Sequence, residues 1–138
     1  QSLASSNVEF LGWQSNEAIL DLYRNCRLLV FPGEEDFGLV PVEAQSCGRP
    51  VVAYAQGGAM ESIVENQTGI FFREQTPASL REGVKQCASR SWDVNAIRQN
   101  VLRFRVENFI SGLARSIETC MSTAAGPVAT SSSPDIRS

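Results

Sequence analysis

Short apolar runs alternate along the chain with segments of helical period. The run NVEFL (residues 7–11) reads as a strand ended by Gly12. In EAILDLYRNC (17–26), Ile19, Leu20, Tyr23 and Cys26 recur at spacings of three and four, with Ser15 or Asn16 ahead as a cap. That spacing predicts an amphipathic helix. LLVF (28–31) is continuously apolar, as in strands buried on both faces. Residues 41–47 predict a helix started by Pro41, with Glu43 third in it, and closed by Gly48. VVAY (51–54) is another buried strand, residues 60–64 a short helix, and GIFF (69–72) a fourth strand. Residues 77–88 form a further helix with Leu80, Val84 and Cys87 on one side. The order is β-α-β-α-β-α-β-α with short connections. Strands too apolar to have a wet face, alternating with helices, predict the α/β class: a parallel sheet covered by helices on both sides.

Residues 92–120 carry Ile97, Val101, Leu102 and Phe104, then Phe109, Ile110, Leu113 and Ile117. They predict two more helices, expected to pack across an end of the sheet. From Ser122 on, STAAGPVATSSSPDIRS is small and polar, so residues 122–138 are expected to be a disordered tail and residues 1–121 one domain.

Composition narrows the partners. A chain of 138 residues buries one core. A net charge of -3 argues against a nucleic-acid or anionic-membrane surface as the main partner and favours a small ligand. No window approaches the roughly eighteen apolar residues of a membrane span. The opening QSLASSNVEF has no initiator Met, basic n-region or apolar h-region, so the chain is expected to be soluble and a piece of something longer. Cys26, Cys47, Cys87 and Cys120 are widely spaced in a chain without histidine, which excludes the usual zinc spacings. They read as buried free thiols in a reducing, cytoplasmic compartment.

The candidate chemistry lies in FPGEEDFGLVPVEA (31–44). In open α/β sheets, ligands bind outside the carboxyl ends of the strands, where the following helices present their N-termini. Here Pro32-Gly33 turns the chain, Glu34, Glu35 and Asp36 cross the strand end, and Phe37-Gly38-Leu39-Val40 feeds the next helix. Unpaired amides around Gly38, Leu39 and Val40 and the positive helix end suit an anion. Three acids beside it would repel a bare phosphate. The conflict resolves if the anion belongs to a molecule rich in hydroxyls, because carboxylates accept from vicinal diols while amides take the charge. A sugar nucleotide has both parts.

Glu35 and Glu43, with Phe37-Gly38 between them and AQSCGRPVVA (44–53) following, closely resemble the signature of retaining glycosyltransferases of GT-B fold, glycosyl transferases group 1. Gly57-Gly58-Ala59-Met60-Glu61, Thr68-Gly69 and the lead-in VEFLGW (8–13) resemble the same family in order and spacing, over roughly residues 7–85. The resemblance implies a Rossmann-like donor-binding domain, the C-terminal half of a GT-B fold, at residues 1–121 and lacking its first strands. It implies that Glu35 contacts the donor sugar under the reacting centre as the catalytic residue, and that Glu43 accepts from the ribose diol. It places the amides of Phe37, Gly38 and Leu39 at sugar hydroxyls, those of Leu39 and Val40 at the diphosphate, and Gly12 and Trp13 near the base. The implied reaction moves a hexose from a donor of GDP-mannose or UDP-glucose type to an acceptor hydroxyl with the anomeric configuration kept. No metal or other cofactor is implied.

Duller roles stand beside these. Glu43 suits a capping acid, Glu34 and Asp36 solvated loop acids, Gly57-Gly58 a strand end, Trp13 a packing residue, and Arg49 a surface position. Two other functions remain open: a non-catalytic nucleotide-sugar binding module, and a glycosidase, which would need its carboxylates about 5–9.5 Å apart. The acceptor domain and the family's diphosphate-neutralising Arg and Lys are absent, and Lys85 is the sole lysine. The chain alone is therefore expected to bind donor weakly and turn over nothing, and to expose an unpaired sheet edge. Membrane association of a parent protein has no support in these residues.

Overall fold

The computed structural model describes residues 6–124. Its elements are α1 (Asn16–Asn25), β1 (Leu29–Phe31), α2 (Leu39–Ser46), β2 (Val51–Tyr54), α3 (Ala59–Ser62), β3 (Gly69–Phe72), α4 (Pro77–Ser89), α5 (Val94–Val101), a 3-10 turn (Leu102–Phe104) and α6 (Val106–Ala124). Local signals account for most boundaries. Ser15 caps α1 by accepting from the Ala18 amide, Thr76 caps α4 with Pro77 at its first position, and Asp93 caps α5.

The strands pair in parallel in the order β1-β2-β3, with Phe31 opposite Ala53 and Ala53 opposite Phe71. Successive side chains point to opposite faces. Phe31, Val51 and Ala53 therefore join Ala44 of α2, Ala59 of α3 and Ile63 in one core, while Val52, Ile70 and Phe72 join Cys87 of α4 in the other. The expected α/β class is observed, with helices on both faces of the sheet. In this first unit, which ends at Leu102, α5 packs on α2.

Residues 7–11, expected as a strand, run as irregular chain, so the described sheet has three strands and not four. An apolar extended run becomes a strand only where a neighbour completes its ladder hydrogen bonds, and among the described residues no strand pairs with this run. Val8, Phe10 and Leu11 are accordingly exposed. Among the described strands β2 lies between β1 and β3, and Gly69 of β3 also forms an isolated parallel bridge with Glu65.

α2 is anchored through one buried polar side chain. The Gln45 amide nitrogen donates to the Pro41 and Ser62 carbonyls, both at 3.1 Å, and its oxygen accepts from Asn100 at 2.8 Å. Asn100 also donates to the Ser62 carbonyl at 2.8 Å, so α2, α3 and α5 meet in one satisfied network. A buried amide is tolerated because every donor and acceptor is matched.

From Arg103 a second unit begins. Its helix α6 carries Val106, Phe109, Ile110, Leu113, Ile117 and Met121, all exposed, along one stripe. It extends through residues 122–124, the start of the expected tail; residues 125–138 lie outside the described residues. Among the described residues no helix is long and apolar enough to cross a membrane.

Burial of the cysteines is uneven: Cys87 is buried, Cys26 and Cys47 are half-buried and Cys120 is exposed, against the expectation of four buried thiols. Cys120 sits on a helix whose apolar stripe is itself uncovered. Burial pushes the Cys87 thiol up to about 11. A disulfide reagent at about pH 8 is expected to label Cys120 first and Cys87 only on unfolding, because the thiolate is the nucleophile. Gln45→Ala should lower stability to urea by about 2–3 kcal/mol, since it leaves one Asn100 amide hydrogen and the Ser62 carbonyl with a bond fewer and opens a buried gap.

Candidate donor site at the β1–α2 junction

The chain leaves β1 at Phe31 and crosses the strand end through residues 34–36, all exposed. Its path is set by the neighbouring loop. The Gly58 amide donates to the Glu35 carbonyl at 2.8 Å. A Cβ on Gly58 would stand 2.2 Å from the Phe37 carbonyl oxygen, and one on Gly57, at φ +60°, would stand 2.4 Å from the Glu35 carbonyl oxygen. Gly57-Gly58 does more than end a strand: it lets the loop after β2 lie directly against the backbone that carries Glu35.

Gly38, buried and at φ +72°, is the N-cap of α2, and the helix begins at Leu39 rather than at the expected Pro41. Proline fits anywhere in a first turn, where amides lack an acceptor one turn back, so its presence alone does not mark the first residue. With Pro41 third and lacking an N–H, the first-turn amides are those of Leu39 and Val40. They emerge beside the acidic loop at the positive end of the helix. Leu39 is 62% exposed and Val40 packs against the core. Phe37 is partly exposed.

Glu43 is consequently the fifth residue of α2, beyond the reach of a capping box. Its exposed side chain accepts a hydrogen bond from the Tyr23 hydroxyl, 3.0 Å away on α1. Burial, and then the Glu43 carboxylate, push the Tyr23 phenol up to about 12. Arg49, expected at the surface, is half-buried and donates from Nε to the Tyr23 carbonyl at 3.2 Å and from Nη2 to the Arg24 carbonyl. It thus satisfies the last turn of α1, which has no fully buried residue of its own. A cavity of about 390 Å³ between α1 and α2 is lined by Asn16, Ile19, Leu20, Tyr23, Glu43 and Ser46.

The structure thus brings Glu35, Phe37, Gly38, Leu39, Val40 and Glu43 onto one loop and helix start. Gly12, at φ +65°, and Trp13 lie on the segment before α1. Trp13 is 89% exposed, which leaves no packing role for it. Sequence reading missed Tyr23 and Arg49. Tyr23 falls on the apolar spacing of α1 and read as core, and its hydroxyl's partner lies twenty residues away.

Residues 1–101 match the family described as Glycosyl transferases group 1. The chain belongs to this family. It is 32% identical to a D-inositol 3-phosphate glycosyltransferase of Salinispora arenicola over 114 residues, 79% of this chain and 25% of that protein. It is 34% identical to an uncharacterized glycosyltransferase of Methanocaldococcus jannaschii over 80 residues, 57% of this chain and 23% of that protein. The chain therefore spans about a quarter of the length of these relatives. Its fold is similar to part of sucrose-phosphate synthase from Thermosynechococcus elongatus, with a TM-score of 0.66 and 24% identity over 83% of this chain and 30% of that one. That likeness shows the fold, the Rossmann-like half of a GT-B arrangement. Membership in this family gives no support to the glycosidase reading.

Two measurements check the geometry of the junction. Gly58→Ala should cost about 1–3 kcal/mol of stability, because the added methyl has only the Phe37 backbone to displace; urea denaturation reads it. The Tyr23 phenol is raised from 10.0 to about 12, so the folded state holds the proton more tightly. The stability margin of the wild-type chain over Tyr23→Phe should be full below pH 10 and shrink as pH rises towards about 12.

Proposed function

We propose that this chain is the donor-binding part of a hexosyltransferase that uses a nucleotide-diphosphate sugar and keeps the anomeric configuration. The observation that carries the reading is the β1–α2 junction: exposed acids on a loop seated against Gly57-Gly58, the first-turn amides of Leu39 and Val40 beside them, and Glu43 one turn further on. Hydroxyl-accepting carboxylates and anion-binding amides at one strand end match the two halves of such a donor.

In this reading Glu35 lies beneath the transferring sugar and meets its reacting face. The amides of Phe37, Gly38 and Leu39 take the sugar hydroxyls, and those of Leu39 and Val40 take the diphosphate. Glu43 accepts from the ribose diol, and Gly12 and Trp13 flank the base. No metal is required. Family membership supports a sugar donor and a separate acceptor, and a cytoplasmic setting fits the cysteine-containing core.

Charge balance bears on activity. Arg24 and Arg49 gather at the far end of α2, about 12 Å from its first residue at 1.5 Å per residue. Lys85 lies on α4. In this reading the diphosphate charge is met by the Leu39 and Val40 amides and the positive end of α2. The isolated chain should bind donor weakly and transfer nothing, with full activity belonging to a longer protein that supplies diphosphate-neutralising cations and an acceptor domain.

Ligand-observed NMR with UDP, GDP, UDP-glucose and GDP-mannose tests this. Glu43→Ala is expected to weaken every nucleotide that binds, about tenfold or more for a lost charge-assisted hydrogen bond. Glu35→Ala should weaken only the sugar-bearing form. Silence from the chain and also from a longer protein that contains it would overturn the reading.

A further inference from the structure

A glutamate on an exposed helix face has three side-chain torsions and no reason to hold one arrangement. Glu43 is different: its Oε2 accepts from Tyr23 at 3.0 Å. Tyr23 is itself fixed from two sides. Its ring packs against the core that contains Ala44, and its carbonyl accepts from Arg49, which seats the last turn of α1. The hydroxyl therefore approaches Glu43 from a defined direction. The raised phenol keeps its proton at any physiological pH, so it is a permanent donor.

A carboxylate has two acceptor oxygens with about four lone-pair sites. Tyr23 occupies one site on Oε2 and leaves the sites of Oε1 and the other site on Oε2 to a ligand, on a residue that lines the same cavity as Tyr23. Two hydroxyls on adjacent carbons suit such a fixed pair of acceptors. Ordering the carboxylate in advance removes a cost that a diol-bearing ligand would otherwise meet on binding.

We propose that Tyr23 is a positioning residue that holds the Glu43 carboxylate in the orientation that accepts a ribose 2′,3′-diol, and thereby sets the preference for ribonucleotide over 2′-deoxyribonucleotide donors. This rests on the reading of Glu43 as a diol acceptor. It extends that reading by giving the sugar discrimination a second residue on another helix. A bond that only staples α1 to α2 would alter stability and leave the ratio of the two affinities untouched.

The test titrates the full chain and its Tyr23→Phe and Glu43→Ala variants with UDP, dUDP, GDP and dGDP, with unfolding midpoints measured in parallel. The expected result is that wild type prefers the ribose forms, that Glu43→Ala abolishes the preference, and that Tyr23→Phe weakens the ribose forms about three- to tenfold while leaving the deoxy forms unchanged. If Glu43→Ala abolishes the preference and Tyr23→Phe keeps it, or weakens both forms alike, the inference is overturned and the role of Glu43 stands. If wild type binds without preference, or Glu43→Ala retains the preference, the diol-acceptor reading fails and the inference with it; silence from the chain and also from a longer protein that contains it overturns both. Should Tyr23→Phe not fold, the ring-carbon signal of labelled Tyr23 in wild type decides: it should shift with UDP or GDP and stay still with dUDP and dGDP, and an equal shift with both overturns the inference.

Discussion

The close approach of two backbones, Gly57-Gly58 against residues 35–37, is the constraint on which the site depends. Parallel strands deliver their carboxyl ends to the same edge of a sheet, and the register of Phe31 with Ala53 brings the loops after β1 and β2 level with each other. Any side chain at Gly58 would occupy the space of the Phe37 carbonyl. With hydrogen there instead, the Gly58 amide reaches the Glu35 carbonyl. The acidic loop is thus held by backbone, which leaves its carboxylates available to solvent and to a ligand.

The same economy governs α2. Its inner face is tied down by Gln45, whose amide joins Pro41, Ser62 and Asn100, so the helix is fixed relative to α3 and α5 before any ligand arrives. Its outer face carries Glu43, steadied by Tyr23 from α1. Arg49, just after the helix, fixes the end of α1 that presents Tyr23. A helix N-terminus and a carboxylate one turn along are useful for recognition only if both keep their positions. The polar contacts behind them supply that rigidity. They also explain why a short helix of low amphipathicity is stable here: a helix of this length draws its stability from packing and tertiary contacts, not from propensity.

Local chemistry explains what could be read from the chain alone. Ser15, Thr76 and Asp93 cap helices through bonds to amides two or three residues on, so the starts of α1, α4 and α5 are written in adjacent residues. The runs at 51–54 and 69–72 are apolar on both faces because helices cover both, and they appear as strands at those residues. Residues 7–11 have a similar apolar run, but no described strand pairs with it, and strand formation is decided by the pairing strand. Pro41 marked a helix start to within two residues, and only the left-handed Gly38 shows where the turn begins.

The sequence by itself determined the α/β class, the family signature and the residues that crowd the β1–α2 junction, because these follow from periodicity, turn chemistry and spacing within a few tens of residues. The tertiary structure alone decided that Glu43 stands one turn into its helix with Tyr23 as partner, that Arg49 closes α1, and that Gly57-Gly58 supports the loop bearing Glu35. Each of those contacts joins residues some twenty or more positions apart, and no local propensity encodes a distance that only the packed sheet and helices bring to zero.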